Sequence, residues 1–201
     1  MLLVLVLVGV GTACGSAQSS TGTSSRLVTT TTAPTPMLSA AQLRRLVVKP
    51  PRPFARASHT ATHTGLIRAG ASPIATTAGS VGTEAQLAKA HFEEGWASAF
   101  QAPDGAAIEI AVLAFHCSAG AVMVRNWVKT HPRVGDRRFV IPHAAGSIAQ
   151  IRTAPQGRSS IAGVLPVGRF LAVLDIYGPR RQHDYRAILA ELAHREWARL
   201  I

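Results

Sequence analysis

A low-complexity tract at residues 15–36, GSAQSSTGTSSRLVTTTTAPTP, limits what this chain can fold into. A segment of Ser, Thr, Gly and Pro cannot bury enough apolar surface to fold, so the tract is predicted to be a flexible tether. A tether of this composition spans on the order of 25 Å on average. The folded part is therefore confined to residues 39–201, which is room for one domain, and the 47% hydrophobic content of the chain is ample for a packed core.

The N-terminal residues predict where in the cell the protein is located. Residues 2–10, LLVLVLVGV, are uniformly apolar, but they are fewer than the roughly 20 residues that a transmembrane helix needs and instead fit the core of a signal peptide. The sequence Gly-Thr-Ala-Cys that ends at Cys14 resembles the lipobox of bacterial lipoproteins. That resemblance implies a signal peptide over 1–13, a lipidated Cys14 that opens a tether over 14–38, and a membrane-anchored protein on the extracytoplasmic face. The alternative is an ordinary secretory signal that is cleaved nearby, which would make the protein secreted.

The charge balance suggests an anionic partner. The chain has 21 basic and 10 acidic residues, a net charge of +11, which favours membrane or cell-envelope polyanions. Nucleic acid is not favoured, because no run of basic residues is interleaved with aromatic ones. One candidate basic patch lies at a predicted helix end and in the loop after it: Arg125, Lys129, Arg133, Arg137 and Arg138. A plain solvated surface explains the same residues.

Helices are predicted at four places. Ser39 with Gln42 and Thr83 with Gln86 read as capping boxes, the second for a helix that continues through Glu94. Ser118 is predicted to cap a helix to about Lys129. Asp184 is predicted to cap a final amphipathic helix that runs to Ile201.

Strands dominate the remainder. Residues 106–115, AAIEIAVLAF, form the strongest candidate, paired as a hairpin with the segment that precedes the turn Pro103-Asp104-Gly105. A short strand is predicted at Leu66-Ile67. Three or four more follow in the second half of the chain. Because strands come in sequence-adjacent groups and helices are few, we predict a single α+β domain: an antiparallel sheet of five or six strands with helices packed on one face.

One constellation suggests an enzyme. The segment His116-Cys117-Ser118-Ala119-Gly120 would pass from a strand into a helix, as does the G-x-S-x-G nucleophile elbow of α/β-hydrolases, and Asp175 and His183 follow in that family's order. This gives the alternative of a membrane-anchored, esterase-like serine hydrolase. Against it, a histidine replaces the first glycine and the alternation of parallel strands and helices is missing.

No metal or cofactor is predicted. His59 and His63 have a helical spacing, but their surroundings are rich in Ser, Thr and Gly and offer no further ligand. Glu93 and Glu94, adjacent on a predicted helix, would diverge too far for a glycosidase pair. Cys117 follows an apolar run and is expected to be a buried, inert thiol. The alternative, for an exported chain, is one disulfide between Cys14 and Cys117.

The leading hypothesis is therefore a non-enzymatic, binding or sensor-like lipoprotein. The order of tether and domain resembles that of small extracytoplasmic lipoproteins and kinase sensor domains of actinobacteria. The ligand and the oligomeric state stay open.

Overall fold

The computed structural model describes residues 36–57, 64–69, 83–132, 137–153, 159–179 and 182–201. The predicted signal peptide, Cys14, most of the tether, His59, His63 and Arg133 lie outside these residues. None of the helices in the described ranges is long and apolar enough to cross a membrane.

The domain is α+β, built on one antiparallel sheet, as predicted. Its elements are, in chain order, α1 (Ala40–Leu46), β1 (Ala55–Arg56), β2 (Gly65–Arg68), α2 (Glu84–Lys89), β3 (Phe92–Gln101), β4 (Ala107–Phe115), α3 (Ser118–Thr130), β5 (Arg137–Phe139), β6 (Ile148–Thr153), β7 (Ser159–Val167), β8 (Phe170–Gly178) and α4 (Gln182–Leu200). The sheet order is β1-β3-β4-β8-β7-β6-β5, with β2 also paired to β3. Within the described residues it has eight strands where five or six were predicted, and three of them (β1, β2 and β5) are four residues or shorter.

Strand β4 is the centre of the domain. It pairs with β3 on one side and β8 on the other, and all of its residues are buried. Ile108, Ile110 and Val112 join one hydrophobic cluster, whereas Ala111 and Leu113 join another. Apart from Glu109, the strand is apolar throughout, which is what a strand covered on both faces requires.

The helices pack on both faces of the sheet, not on one as predicted. The first cluster includes Leu189 and Leu192 of α4 and the segment after α1, and we call that side the α4 face. The second includes Leu87 of α2 together with Ala121 and Val124 of α3, and we call that side the α3 face. Two-sided coverage follows from β4, whose alternate side chains are apolar in both directions.

The helix boundaries correct three predictions. Helix α2 ends at Lys89, not Glu94, because His91 takes a left-handed backbone (φ 54°) and Phe92 pairs with Phe115 in the sheet. Helix α3 is capped at Cys117, whose backbone is extended, and Ser118 is its first helical residue. Asp184 lies in the first turn of α4, where a carboxylate still favours the helix dipole.

Other local predictions are confirmed. Ser39 and Gln42 form a complete capping box, and Thr83 accepts the backbone N–H of Gln86. The hairpin of β3 and β4 closes through the predicted turn, and β2 contains Leu66-Ile67.

Gly120 marks a close approach between α3 and the end of α2. A Cβ atom at this position would lie 2.2 Å from the carbonyl oxygen of Ala90. Gly120→Ala should therefore lower the free energy of unfolding by roughly 1–3 kcal/mol, since neither backbone can yield without repacking. Urea denaturation measures this, with Ala119→Ser at the exposed neighbouring position as the control. Equal stabilities for the two variants would contradict the close packing.

Candidate functional site

The structure does not bring the hydrolase-like residues together. Ser118 begins α3, just beyond the end of β4 at Phe115, whereas Asp175 pairs with Glu109, earlier on β4. At about 3.4 Å per residue, Glu109 and Phe115 are roughly 20 Å apart along the strand. The backbone of His183 follows the Asp175 end of β8. A nucleophile and its base must lie within hydrogen-bonding reach, so this arrangement does not form a triad.

Each part of the elbow-like segment has a local structural explanation. Gly120 allows α3 to approach Ala90, as described above. The ring Nδ1 of His116 lies 3.4 Å from the carboxylate of Glu93, which also accepts a hydrogen bond of 3.1 Å from Arg169. Glu93 and Glu94 lie on a strand rather than the predicted helix, at a register shift between Phe92 and Glu94.

Cys117 is not the buried, inert thiol that the sequence suggested. It is half-buried and disulfide-bonded. Cys14, the other cysteine of the chain, lies outside the described residues.

Asp175 belongs to a different polar group. The Tyr177 hydroxyl donates a 3.0 Å hydrogen bond to Glu109, the residue opposite Asp175. Burial, followed by the negative charge of Glu109, raises the pKa of Tyr177 well above its usual range. Across the described part of the chain, no three His, Cys, Asp or Glu side chains are placed to hold a metal ion.

The predicted basic patch is divided by the sheet. Arg125 and Lys129 lie on α3, whereas Arg137 and Arg138 are exposed on β5. Arg138 pairs with Gln150, whose side chain donates to α3, but Arg137 pairs with Ile151 on the α4 face. These cations do not share one surface.

A basic groove that was not predicted from the sequence lies between α1 and α4. It has a volume of about 1280 Å³ and is lined by Ala40, Ala41, Arg44, Arg45, Val47, Val48, Lys49, Trp96, His194, Arg195, Ala198 and Arg199. Its walls are α1 with the segment that follows it and the last turns of α4, and Trp96 of β3 also contributes. We call this the basic groove.

A second cavity extends the basic groove along the sheet edge. It measures about 390 Å³ and is lined by Arg44, Val47, Lys49, Pro50, Phe54, Arg56, Ser98 and Phe100. The two cavities share Arg44, Val47 and Lys49. Among the described residues that line them, six are Arg or Lys and none is Asp or Glu. An elongated anionic ligand would meet cations along its whole length.

Local sequence explains how the groove forms. The Ser39 capping box starts α1, and prolines 50, 51 and 53 prevent any helix from continuing beyond it. Arg44 and Arg45 in the last turn of α1 suit the negative end of its dipole. The side chain of Trp96 donates a 3.2 Å hydrogen bond to Ser98, which fixes the indole on the face of β3 that carries the groove.

Two hydrogen bonds hold the segment after α1 against α4. The buried carboxylate of Glu196 accepts the backbone N–H of Val48 at 3.0 Å, and Arg199 donates to the carbonyl of Val47 at 3.2 Å. We call this pair of bonds the α4 clasp. It sets the width of the groove, because the two valines line one wall and Arg199 the other.

Glu196 is an unusual buried acid. Its side chain has no exposed surface, and its Oε1 atom has no hydrogen-bond partner within the described residues. Burial raises the pKa of Glu196 from 4.5 to about 7, although the Val48 N–H and the charge of Arg199 oppose that rise.

Two sequence signals could have revealed this site. The first acidic residue in the chain is Glu84, so the basic residues in and after α1 have no acidic residue near them in the sequence. Glu196 falls four residues after Leu192 and four before Leu200, in the buried stripe of α4.

Comparison with known proteins supports the fold alone. No protein-family model matches the chain, and a search of curated proteins also finds no match. The chain is similar in structure to the crystal structure of the extracellular domain of PknH from Mycobacterium tuberculosis, with a TM-score of 0.52 and 10% sequence identity. The match covers 79% of this chain and 96% of that one.

The raised pKa of Glu196 predicts a pH-dependent stability. Below about pH 4.5 the carboxyl is protonated in both folded and unfolded chains. As pH rises toward 7 only the unfolded chain loses the proton, so stability falls by roughly 3 kcal/mol across that window. Glu196→Gln, which keeps an oxygen for Val48 N–H, should remove this decline.

Urea denaturation between about pH 5 and pH 8 measures the difference. Glu191→Gln is the matched control, because it removes a carboxylate from an exposed position of the same helix. A decline that persists in Glu196→Gln would assign the pH dependence to another group.

Proposed function

We propose that this chain is a membrane-anchored extracytoplasmic lipoprotein whose domain is a non-enzymatic, sensor-like module that binds an anionic envelope ligand in the basic groove. The observation that carries the proposal is the groove itself: six Arg and Lys side chains line two connected cavities without an Asp or Glu among their described lining residues. The fold, shared with an extracellular domain, supports the extracytoplasmic part of the proposal.

The cations of the groove are available to a ligand. Arg44, Arg45, Lys49 and Arg56 are exposed and have no acidic partner within the described part of the chain. Arg195 is paired with Glu191. Exposed unpaired cations gain more from an anionic ligand than paired ones, because no existing ion pair must be broken.

A serine hydrolase using Ser118, Asp175 and His183 has less support. The register of β4 and β8 separates Ser118 from Asp175 by most of the length of strand β4. The basic groove offers binding groups but contains neither Ser118 nor Asp175.

The groove predicts binding that depends on Arg44 and Lys49. The double variant Arg44→Ala/Lys49→Ala should weaken binding to vesicles of phosphatidylglycerol and phosphatidylcholine at least about tenfold, since each cavity loses the two cations that both share. Vesicle co-sedimentation at low and physiological salt measures this, and wild-type binding should weaken as salt rises.

Arg137→Ala/Arg138→Ala is the matched control, because it removes the same charge from an exposed strand outside the groove. Equal losses in the two double variants would indicate that net charge alone drives binding.

The anchor proposal rests on the residues before the domain. The first described residue is Pro36, whose carbonyl accepts a 3.1 Å hydrogen bond from Arg169, and α1 begins four residues later. A fully extended chain covers at most about 14 Å in that distance. A tether attached to the membrane at Cys14 would therefore enter the domain close to the groove.

We expect metabolic labelling with a fatty acid to mark the wild-type protein and to leave Cys14→Ser unlabelled. Intact mass of the purified protein gives the same answer directly. The anchored form also requires that the disulfide of Cys117 is absent from the mature protein, because the chain has two cysteines and a lipid thioether would occupy Cys14. An intrachain disulfide at Cys117 in the mature monomer would exclude the anchor and favour a secreted form.

A further inference from the structure

Glu196 lies directly behind the wall of the basic groove. Its Oε2 atom accepts the N–H of Val48, a lining residue, and no salt bridge to Glu196 occurs within the described ranges. In its charged form this carboxyl is therefore a buried negative charge beneath a surface of cations. It is also enclosed by protein, where charges interact more strongly than in water.

Charged and titratable groups face this region from every element packed around it. Helix α4 contributes Arg199, Arg195 and His194, and the α1 side contributes Arg44, Arg45 and Lys49. From β3, Glu94 lies on the same strand face as Trp96 and is buried. Among the described residues that line the groove, His194 is the one histidine.

Arg199 connects Glu196 to the ligand surface. It lines the groove, donates to the Val47 carbonyl, and its charge acts on the Glu196 carboxyl. An anion that binds at Arg199 therefore repels the Glu196 carboxyl when that carboxyl is charged. The repulsion disappears when the carboxyl is neutral.

The lining also indicates the class of ligand. Arginine guanidinium groups form paired hydrogen bonds with phosphate-type oxygens and keep their charge at any physiological pH. Because the cations are spread over two connected cavities, a ligand with a single anionic group would engage only some of them.

We propose that the basic groove binds a ligand with several phosphodiester- or sulfate-type groups, and that Glu196 takes up a proton as the ligand binds. Acid then strengthens binding, and the ligand in turn favours the protonated carboxyl, because such coupling is reciprocal. This inference rests on the proposed anion-binding function and adds its ligand class and its regulation.

Sucrose octasulfate is a suitable probe, since its charge does not change between about pH 5.5 and pH 8. Isothermal titration calorimetry with the full chain should show binding about five- to tenfold tighter at the lower pH. The comparison is made in a His194→Gln background, which removes the imidazole that lines the groove.

Adding Glu196→Gln to that background should make the affinity independent of pH and equal to the low-pH value. Adding Glu191→Gln, the exposed control on the same helix, should preserve the pH dependence. Titrations of the wild type in two buffers with different ionisation enthalpies count the protons taken up, and this measurement needs no variant.

The outcomes separate the two proposals. Absence of binding at both pH values overturns the anion-binding function and this inference together. Binding without proton uptake, or a pH dependence that survives Glu196→Gln, overturns the linkage and leaves the groove function standing. Phosphatidylglycerol vesicles in place of the octasulfate, tested with Arg44→Ala/Lys49→Ala, show whether the anionic groups come from a membrane surface or from a free polyanion.

Discussion

The burial of β4 on both faces is the constraint on which this domain depends. A strand with apolar side chains in both directions is stable only if a layer of structure covers each side of the sheet. Helix α3 supplies one layer, and α4 together with the segment after α1 supplies the other. The basic groove is a consequence, because α1 and α4 cover the same face and the space between them is left open to solvent.

Much of the fold could be predicted from local sequence. The Ser39 capping box and the turn at Pro103-Asp104-Gly105 depend on neighbouring residues, and both are confirmed. The helix predicted through Glu94 was wrong because its end depends on a distant partner: Phe92 pairs with Phe115. The one-sided placement of helices was wrong for a similar reason, since it requires knowing which strand lies at the centre of the sheet.

The candidate site was harder to predict, because its residues come from three distant parts of the chain. Arg44, Trp96 and Arg199 meet only through the sheet order and the packing of the two terminal helices. Proximity in sequence instead favoured the group from Arg125 to Arg138, which the sheet divides. The burial of Glu196 was also not predicted, because charged side chains on an amphipathic helix are normally assigned to its exposed face.

The α4 clasp has a consequence for when the basic groove can form during synthesis of the chain. Its two hydrogen bonds join residues 148 and 152 positions apart along the chain. Because a polypeptide is synthesised from its N-terminus, α1 and the segment after it are made well before the last turns of α4, to which the clasp binds that segment. The basic groove therefore cannot form on a nascent chain or on a chain truncated before the end of α4, since one of its walls is then missing.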